Sequence, residues 1–130
     1  MKKIKTALIS VSDKKNLKPL LFSLKKNNIK IISSGGTYKE IKKLKFKCLE
    51  VSKFTGSPEI LEGRVKTLHP KIHAGILNKR KSKIHLKDLK YNNFENIDLV
   101  IVNFYPFEET LKSTKNHNKI VENIDVGGPT

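Results

Sequence analysis

The stretch at positions 97–104, Ile-Asp-Leu-Val-Ile-Val-Asn-Phe, constrains the fold more than any other part of the chain. Its apolar residues run on without the alternation that a half-solvated strand would show, which predicts a strand buried on both sides, as in a parallel sheet covered by helices. Other segments fit the same design. Residues 4–11, IKTALISV, predict an apolar strand ending in Ser12-Asp13-Lys14. Leu17, Leu20, Leu21 and Leu24 then form an i, i+3, i+4, i+7 stripe, the signature of an amphipathic helix, with Pro19 tolerated in its first turn. Lys30–Ser33 reads as a short strand running into Ser34-Gly35-Gly36-Thr37, followed by a helix over 37–45. Residues 48–51 predict a third strand. Residues 52–70, with Gly56, Pro58, Gly63 and Pro70, predict a long loop, a kind of segment that is often functional in compact domains. Residues 81–94 predict a helix with a lysine-rich, solvated outer face. The expected fold class is α/β: a doubly wound, mainly parallel sheet flanked by helices in three layers. At 130 residues, with no internal repeat or linker, the chain is expected to form one domain.

Charge narrows function less than it first suggests. The net charge is +15, and 25 of the 27 basic residues are lysines. Such an excess favours polyanions through counterion release. Yet the lysines are spread along the whole sequence beside many Asn and Ile, a pattern that AT-rich coding also produces. No specific nucleic-acid partner is therefore expected, although the charge would attract small phosphorylated substrates. The single cysteine, Cys48, excludes an internal disulfide framework, and its place in an apolar stretch suggests packing. The basic N-terminus is followed by too short and too polar a run for a secretory signal, and no segment suggests a membrane span. A cytoplasmic protein without a membrane partner is the expectation.

In open parallel sheets ligands bind beyond the carboxyl ends of the strands. Here those ends carry Ser12-Asp13-Lys14, Ser34-Gly35-Gly36-Thr37 and Asn103-Phe104-Tyr105-Pro106. Paired glycines at a strand-to-helix junction let a ligand approach the backbone, and the helix-start N–H groups with Ser and Thr hydroxyls can hold a phosphate. An ordinary tight turn is the alternative. Arg64, one of two arginines, stands beside Val65, Lys66 and Thr67; its guanidinium suits bidentate phosphate contact, whereas Lys66 alone in so lysine-rich a chain carries little weight. His69 and His73 have a helical metal-ligand spacing, but Pro70 intervenes and no third ligand is evident, so structural histidines and no metal are expected. Asp125 stands close before Gly127 and Gly128, whose N–H groups could face an oxyanion. A sequence ending in Gly-Gly-Pro-Thr looks cut within a turn.

Taken in order, SVSDK, SSGGT, TGSPEILEGRVKTLHPKIHAGIL, VNFYPF and ENIDVGGPT resemble the N-terminal IMP cyclohydrolase domain of bifunctional purine biosynthesis proteins, over residues 7–130. The resemblance implies a methylglyoxal synthase-like fold, closure of formylated AICAR to IMP with loss of water, and no cofactor for that step. It also implies a C-terminal AICAR formyltransferase domain using 10-formyltetrahydrofolate, and a helix with a further proton-transferring lysine, neither of them within these residues. It implies homodimers too. The family's nucleotide-contacting segments fall on Ser12, Asp13 and Lys14, on Ser34, Gly35, Gly36 and Thr37, on Arg64, Val65, Lys66 and Thr67, on Val102 and Asn103, and on Asp125, Val126 and Gly127. Lys66 and Asp125 are expected to orient the amide and handle protons, Tyr105 to donate a hydrogen bond, and the Val126-Gly127 amides to hold the oxyanion. A regulatory nucleotide-binding module, an inactive remnant of the same fold, a methylglyoxal synthase and a basic nucleic-acid binder are the competing readings.

Overall fold

The computed structural model describes residues 3–63, 65–104 and 107–122. Chain order is β1 (Thr6–Val11), α1 (Leu17–Lys26), β2 (Lys30–Ser33), α2 (Gly35–Lys43), β3 (Leu49–Glu50), α3 (Val51–Thr55), a single 3-10 turn (Leu61–Gly63), α4 (Pro70–Leu77), α5 (Lys83–Tyr91), β4 (Leu99–Asn103), α6 (Phe107–Ser113) and α7 (His117–Glu122). Among the described residues the strands form one sheet in the order β3-β2-β1-β4, every pairing parallel.

Strand periodicity divides the core in two. Along β1 and β2, Ala7, Ile9 and Ile31 point to one face, where Leu17, Leu21 and Leu24 of α1 and Ile41 of α2 meet them. Leu8 and Ile32 point to the other, against Val51 and Phe54 of α3 and Ile72 of α4. Helices thus cover both faces, giving the expected doubly wound α/β architecture. The chain steps outward from β1 through β2 to β3, then returns past β1 to place β4 on its other side. That reversal opens a crevice between the carboxyl ends of β1 and β4.

Three sequence-based expectations are corrected. β4 is not buried on both sides: it pairs only with β1 among the described strands, Val102 is exposed at 43%, and Phe104 just past its end is exposed at 66%. The third strand stops at Glu50, because Val51 turns inward at the start of α3 and fills the core beside Phe54. The segment read as a long loop therefore begins with a helical turn. It ends where Pro70, with no N–H to lose, opens α4 and His69 caps it, Nδ1 accepting from the Lys71 N–H at 3.1 Å. The helix predicted over 81–94 spans Lys83–Tyr91, started by Ser82, whose hydroxyl accepts from the His85 N–H.

Two close approaches fix α4 against the route into β4. A Cβ on Gly75 would lie 2.8 Å from the Glu95 carbonyl oxygen, so only glycine lets the helix come this near. Arg80 donates to the carbonyls of Gly75 and Ile97 and to the Asn96 side chain, and pairs with Asp98 at 3.5 Å. Asp98 in turn accepts from the Lys5 and Thr6 N–H groups at the start of β1.

Candidate functional site

The crevice is built from three segments. At the end of β1, the Asn103 side chain from β4 reaches across: Oδ1 accepts from the Ser12 and Asp13 N–H groups at 2.6 and 3.1 Å, and Nδ2 donates to the Asp13 carbonyl at 2.9 Å. Asp13 Oδ1 accepts from the Lys15 N–H at 2.8 Å, an Asx turn that closes the loop. The Lys14 ammonium donates back to the Ser12 carbonyl at 3.1 Å.

The second segment is the start of α2. Ser34 is its extended N-cap and makes no side-chain capping bond, so the hydroxyl leaves the first-turn N–H groups uncapped. Gly35 follows at φ +52°, a left-handed conformation that favours glycine. Thr37 is buried, its hydroxyl accepting from the Val11 N–H at 3.1 Å and donating to the Val11 carbonyl at 2.9 Å. Both functions of that hydroxyl lock α2 to the tip of β1. Ser33, fully buried, donates from its hydroxyl to the Ile9 carbonyl at 2.7 Å.

The third segment runs from Glu59 to Thr67. Leu61, Glu62 and Gly63 take successive positive φ values of 53°, 56° and 84°. The first two lack glycine's freedom, so the turn holds local strain, about 1–2 kcal/mol for each such residue. Ile60 and Val65 close it by an antiparallel bridge. Beyond it Lys66 crosses to the glycines: its Nζ lies 3.3 Å from where a Cβ on Gly35 would stand and 3.9 Å from the corresponding point on Gly63. Lys14 Nζ lies 3.9 Å from the Cβ position of Gly36.

Two ammonium groups from separate loops thus meet the uncapped start of one helix. The helix dipole adds positive potential there, and with both glycines lacking a side chain an anion can reach the backbone N–H groups. A phosphate or carboxylate is the ligand this concavity suits. Of the residues selected from sequence, Ser12, Asp13, Lys14, Ser34, Gly35, Gly36, Thr37, Val65, Lys66, Thr67, Val102 and Asn103 all belong to the strand ends or to the loop that reaches them. Asn103 and Thr37 are occupied with backbone groups, and Val102 is exposed on β4. Arg64, Tyr105, Asp125, Val126 and Gly127 lie outside the described residues.

Glu59 was not singled out from sequence. Its Oε2 lies 3.3 Å from the Cβ position of Gly63, beside Lys66, and its Oε1 is buried with no hydrogen-bond partner among the described residues. An acid next to Pro58 in a loop otherwise read for its cations was the available signal. His69 and His73, whose spacing raised a metal, face backbone: His73 Nδ1 sits 3.2 Å from the His69 carbonyl oxygen.

Residues 16–130 match the MGS-like domain family. The chain is 54% identical over 125 residues to the bifunctional purine biosynthesis protein PurH of Prochlorococcus marinus (strain MIT 9301), covering 95% of this chain and 24% of that protein. With PurH of Acetivibrio thermocellus it shares 50% identity over 128 residues, covering 98% of this chain and 25% of the relative. The chain therefore spans about a quarter of the length of these curated relatives. The crystal structure of ForH superposes with a TM-score of 0.80 at 29% identity, covering 97% of this chain and 64% of that one. With the doubly wound sheet, the crevice at its strand ends and a family match over most of its length, this chain belongs to the MGS-like domain family.

Proposed function

We propose that the chain provides the IMP cyclohydrolase site of a purine biosynthesis enzyme, closing formylated AICAR to IMP. The observation that carries this reading is Lys14 at the uncapped Gly35-Gly36 start of α2, a seat for the 5′-phosphate of a ribonucleotide, with Lys66 held over the same glycines by a separate loop. The identity to PurH proteins across the same residues supports the choice of nucleotide.

In the reaction the carboxamide nitrogen attacks the formamide carbon, a C–N bond forms, and the former formyl oxygen leaves as water. Both groups sit on one imidazole ring, so the protein's task is to hold the reactive rotamer, take the amide proton and stabilise the oxygen as it becomes anionic. Lys66 and Asp125 orient the amide and move protons, Tyr105 donates a hydrogen bond to the reacting end, and the Val126-Gly127 amides receive the oxyanion. Arg64, Lys14, Ser34 and Thr67 bind the phosphate end, while Asn103 keeps the Ser12–Lys14 loop in place. None of these steps calls for a metal or organic cofactor.

Titration calorimetry with IMP and inosine, followed by absorbance assay of IMP formation, tests the reading. IMP should bind at least tenfold more tightly than inosine. Lys14→Met should remove most of that difference, since a hydrogen bond to a charged partner is worth about 1.5–3 kcal/mol. Equal affinity for nucleoside and nucleotide would show that the α2 start is not a phosphate seat.

A further inference from the structure

We propose that the face of the sheet covered by α1 and α2 binds single-stranded nucleic acid, without sequence preference, on Phe22 and the lysines around it. Lysines that look evenly spread along the chain are concentrated in space. On α1, on α2 and in the segment that follows it stand eight lysines, Lys18, Lys25, Lys26, Lys39, Lys42, Lys43, Lys45 and Lys47, against one acid, Glu40, so this face carries about half of the net charge of +15. Both helices pack on the same face of the sheet. Among the described residues none of these eight has a carboxylate partner, whereas Lys30, which lies over Phe54 on the other face, pairs with Glu95 at 2.7 Å.

An exposed ring lies within this charge. Phe22 is 55% exposed on the outward side of α1, opposite the buried Leu17, Leu21 and Leu24. On a helix its neighbours at i−4, i+3 and i+4 are Lys18, Lys25 and Lys26. Phe22 meets the buried Phe46 edge to face, with centroids 5.1 Å apart and planes at 85°, which holds the exposed ring against a fixed partner. Lys25 Nζ stands 5.9 Å from the Phe46 centroid, and Lys45 and Lys47 flank Phe46 in the chain. One braced aromatic face among five ammonium groups is the arrangement on which an unpaired base stacks while its backbone is neutralised.

A duplex keeps its base faces stacked within itself and has little use for such a ring. A lipid surface would need several large apolar side chains on the outer side of α1, and apart from Phe22 the large apolar residues of this helix are buried or half-buried. The chain leaves α1 through Asn27 and Asn28 into the start of β2, so Lys25 and Lys26 stand at the end of the sheet opposite the crevice. Nucleotide and polynucleotide can therefore occupy the protein together.

Fluorescence anisotropy with a labelled 12-nucleotide oligouridine, a duplex of equal length and vesicles containing phosphatidylserine provides the test. Five neutralised phosphates on a single strand give a log–log salt slope near −3.5, so binding should weaken roughly 100-fold from 50 to 200 mM KCl. Phe22→Leu keeps the apolar contact with Phe46 but removes the planar face; it should weaken binding about fivefold or more at both salt concentrations with the slope unchanged. The double variant Lys25→Gln, Lys26→Gln leaves the core intact and should make the slope shallower by about 1.4. No binding at 50 mM KCl, duplex bound as tightly as single strand, Phe22→Leu binding like the parent, or binding to vesicles but not to oligouridine would each overturn the proposal.

Discussion

Replacing Gly35 and Gly36 by alanine, one at a time, separates two roles that adjacent glycines play at the start of α2. Gly35 sits at φ +52°, and an alanine Cβ there would stand 3.3 Å from Lys66 Nζ. The left-handed conformation costs an L-residue about 1–2 kcal/mol, offset by roughly 0.4–1 kcal/mol from the stiffer unfolded chain. The contact adds little to this, because the far end of a lysine moves aside easily. Gly35→Ala should therefore destabilise by about 1 kcal/mol. Gly36 has no positive φ, and its new Cβ would meet Lys14 Nζ at 3.9 Å, an ordinary contact. There alanine improves helix propensity by about 0.5–1 kcal/mol, so Gly36→Ala should be neutral or stabilising. The pair should melt about 5–8 °C apart by circular dichroism, at roughly 3–5 °C per kcal/mol for a domain of this size. IMP affinity should fall in Gly35→Ala, where the Lys66 ammonium is pushed from its place, and much less in Gly36→Ala. Equal melting temperatures for the two variants would refute the assignment of strain to Gly35.

Gly75→Ala should cost about 1–3 kcal/mol in urea denaturation, because its Cβ would stand 2.8 Å from a backbone oxygen that no rotamer change can move. Thr37→Val should destabilise by about 1–3 kcal/mol by stripping the Val11 N–H and carbonyl of their partner, while Thr37→Ser should recover most of the loss. Burial pushes the Cys48 thiol up from an ordinary 9.0 to about 11, with Lys42 opposing and Glu50 reinforcing the shift, so iodoacetamide at pH 8 should label the folded chain far more slowly than the urea-unfolded one. Because the folded state holds that proton longer, the Cys48 contribution to stability is complete below about pH 9 and is lost as pH rises through about 11, measurable as a falling urea midpoint that Cys48→Ala removes.

Some elements could be read from sequence because local and long-range preferences agree in them. Lys30–Ser33 is an apolar run bounded by Asn27-Asn28 and by Ser-Gly-Gly, and it is β2 residue for residue. The leucine stripe of α1 has no competing period. Val51–Thr55 was illegible because a single helical turn directly after a two-residue strand shows only Val51 and Phe54, a spacing too short to distinguish one period from another. The apolar run of β4 reported a strand but not its neighbours: whether Val102 meets another strand depends on topology, which periodicity does not encode. Arg80 is a similar case. It is spent on three acceptors around the Gly75 and Ile97 backbone, a use that emerges only once α4 and β4 lie side by side.

Asn103 shows what residue type leaves open at a site. From sequence it is a polar group at a strand end, facing a ligand crevice; in the structure its amide makes three hydrogen bonds to Ser12 and Asp13. A residue that only contacts ligand can be changed without cost to the empty protein, whereas a brace cannot. Asn103→Ala should lower stability in the absence of nucleotide by about 1–2 kcal/mol, the lower range for three exposed bonds of about 0.5–1.5 kcal/mol each. Asn103→Asp separates the bonds further. A carboxylate still accepts from the Ser12 and Asp13 N–H groups, but it has no hydrogen to give the Asp13 carbonyl and sets a negative charge against that oxygen and near the Asp13 carboxylate. Its stability should fall between those of alanine and asparagine at low salt and rise toward asparagine as salt screens the repulsion. If both variants melt with the parent and lose only IMP affinity, Asn103 is a ligand contact, and another group must hold the Ser12–Lys14 loop.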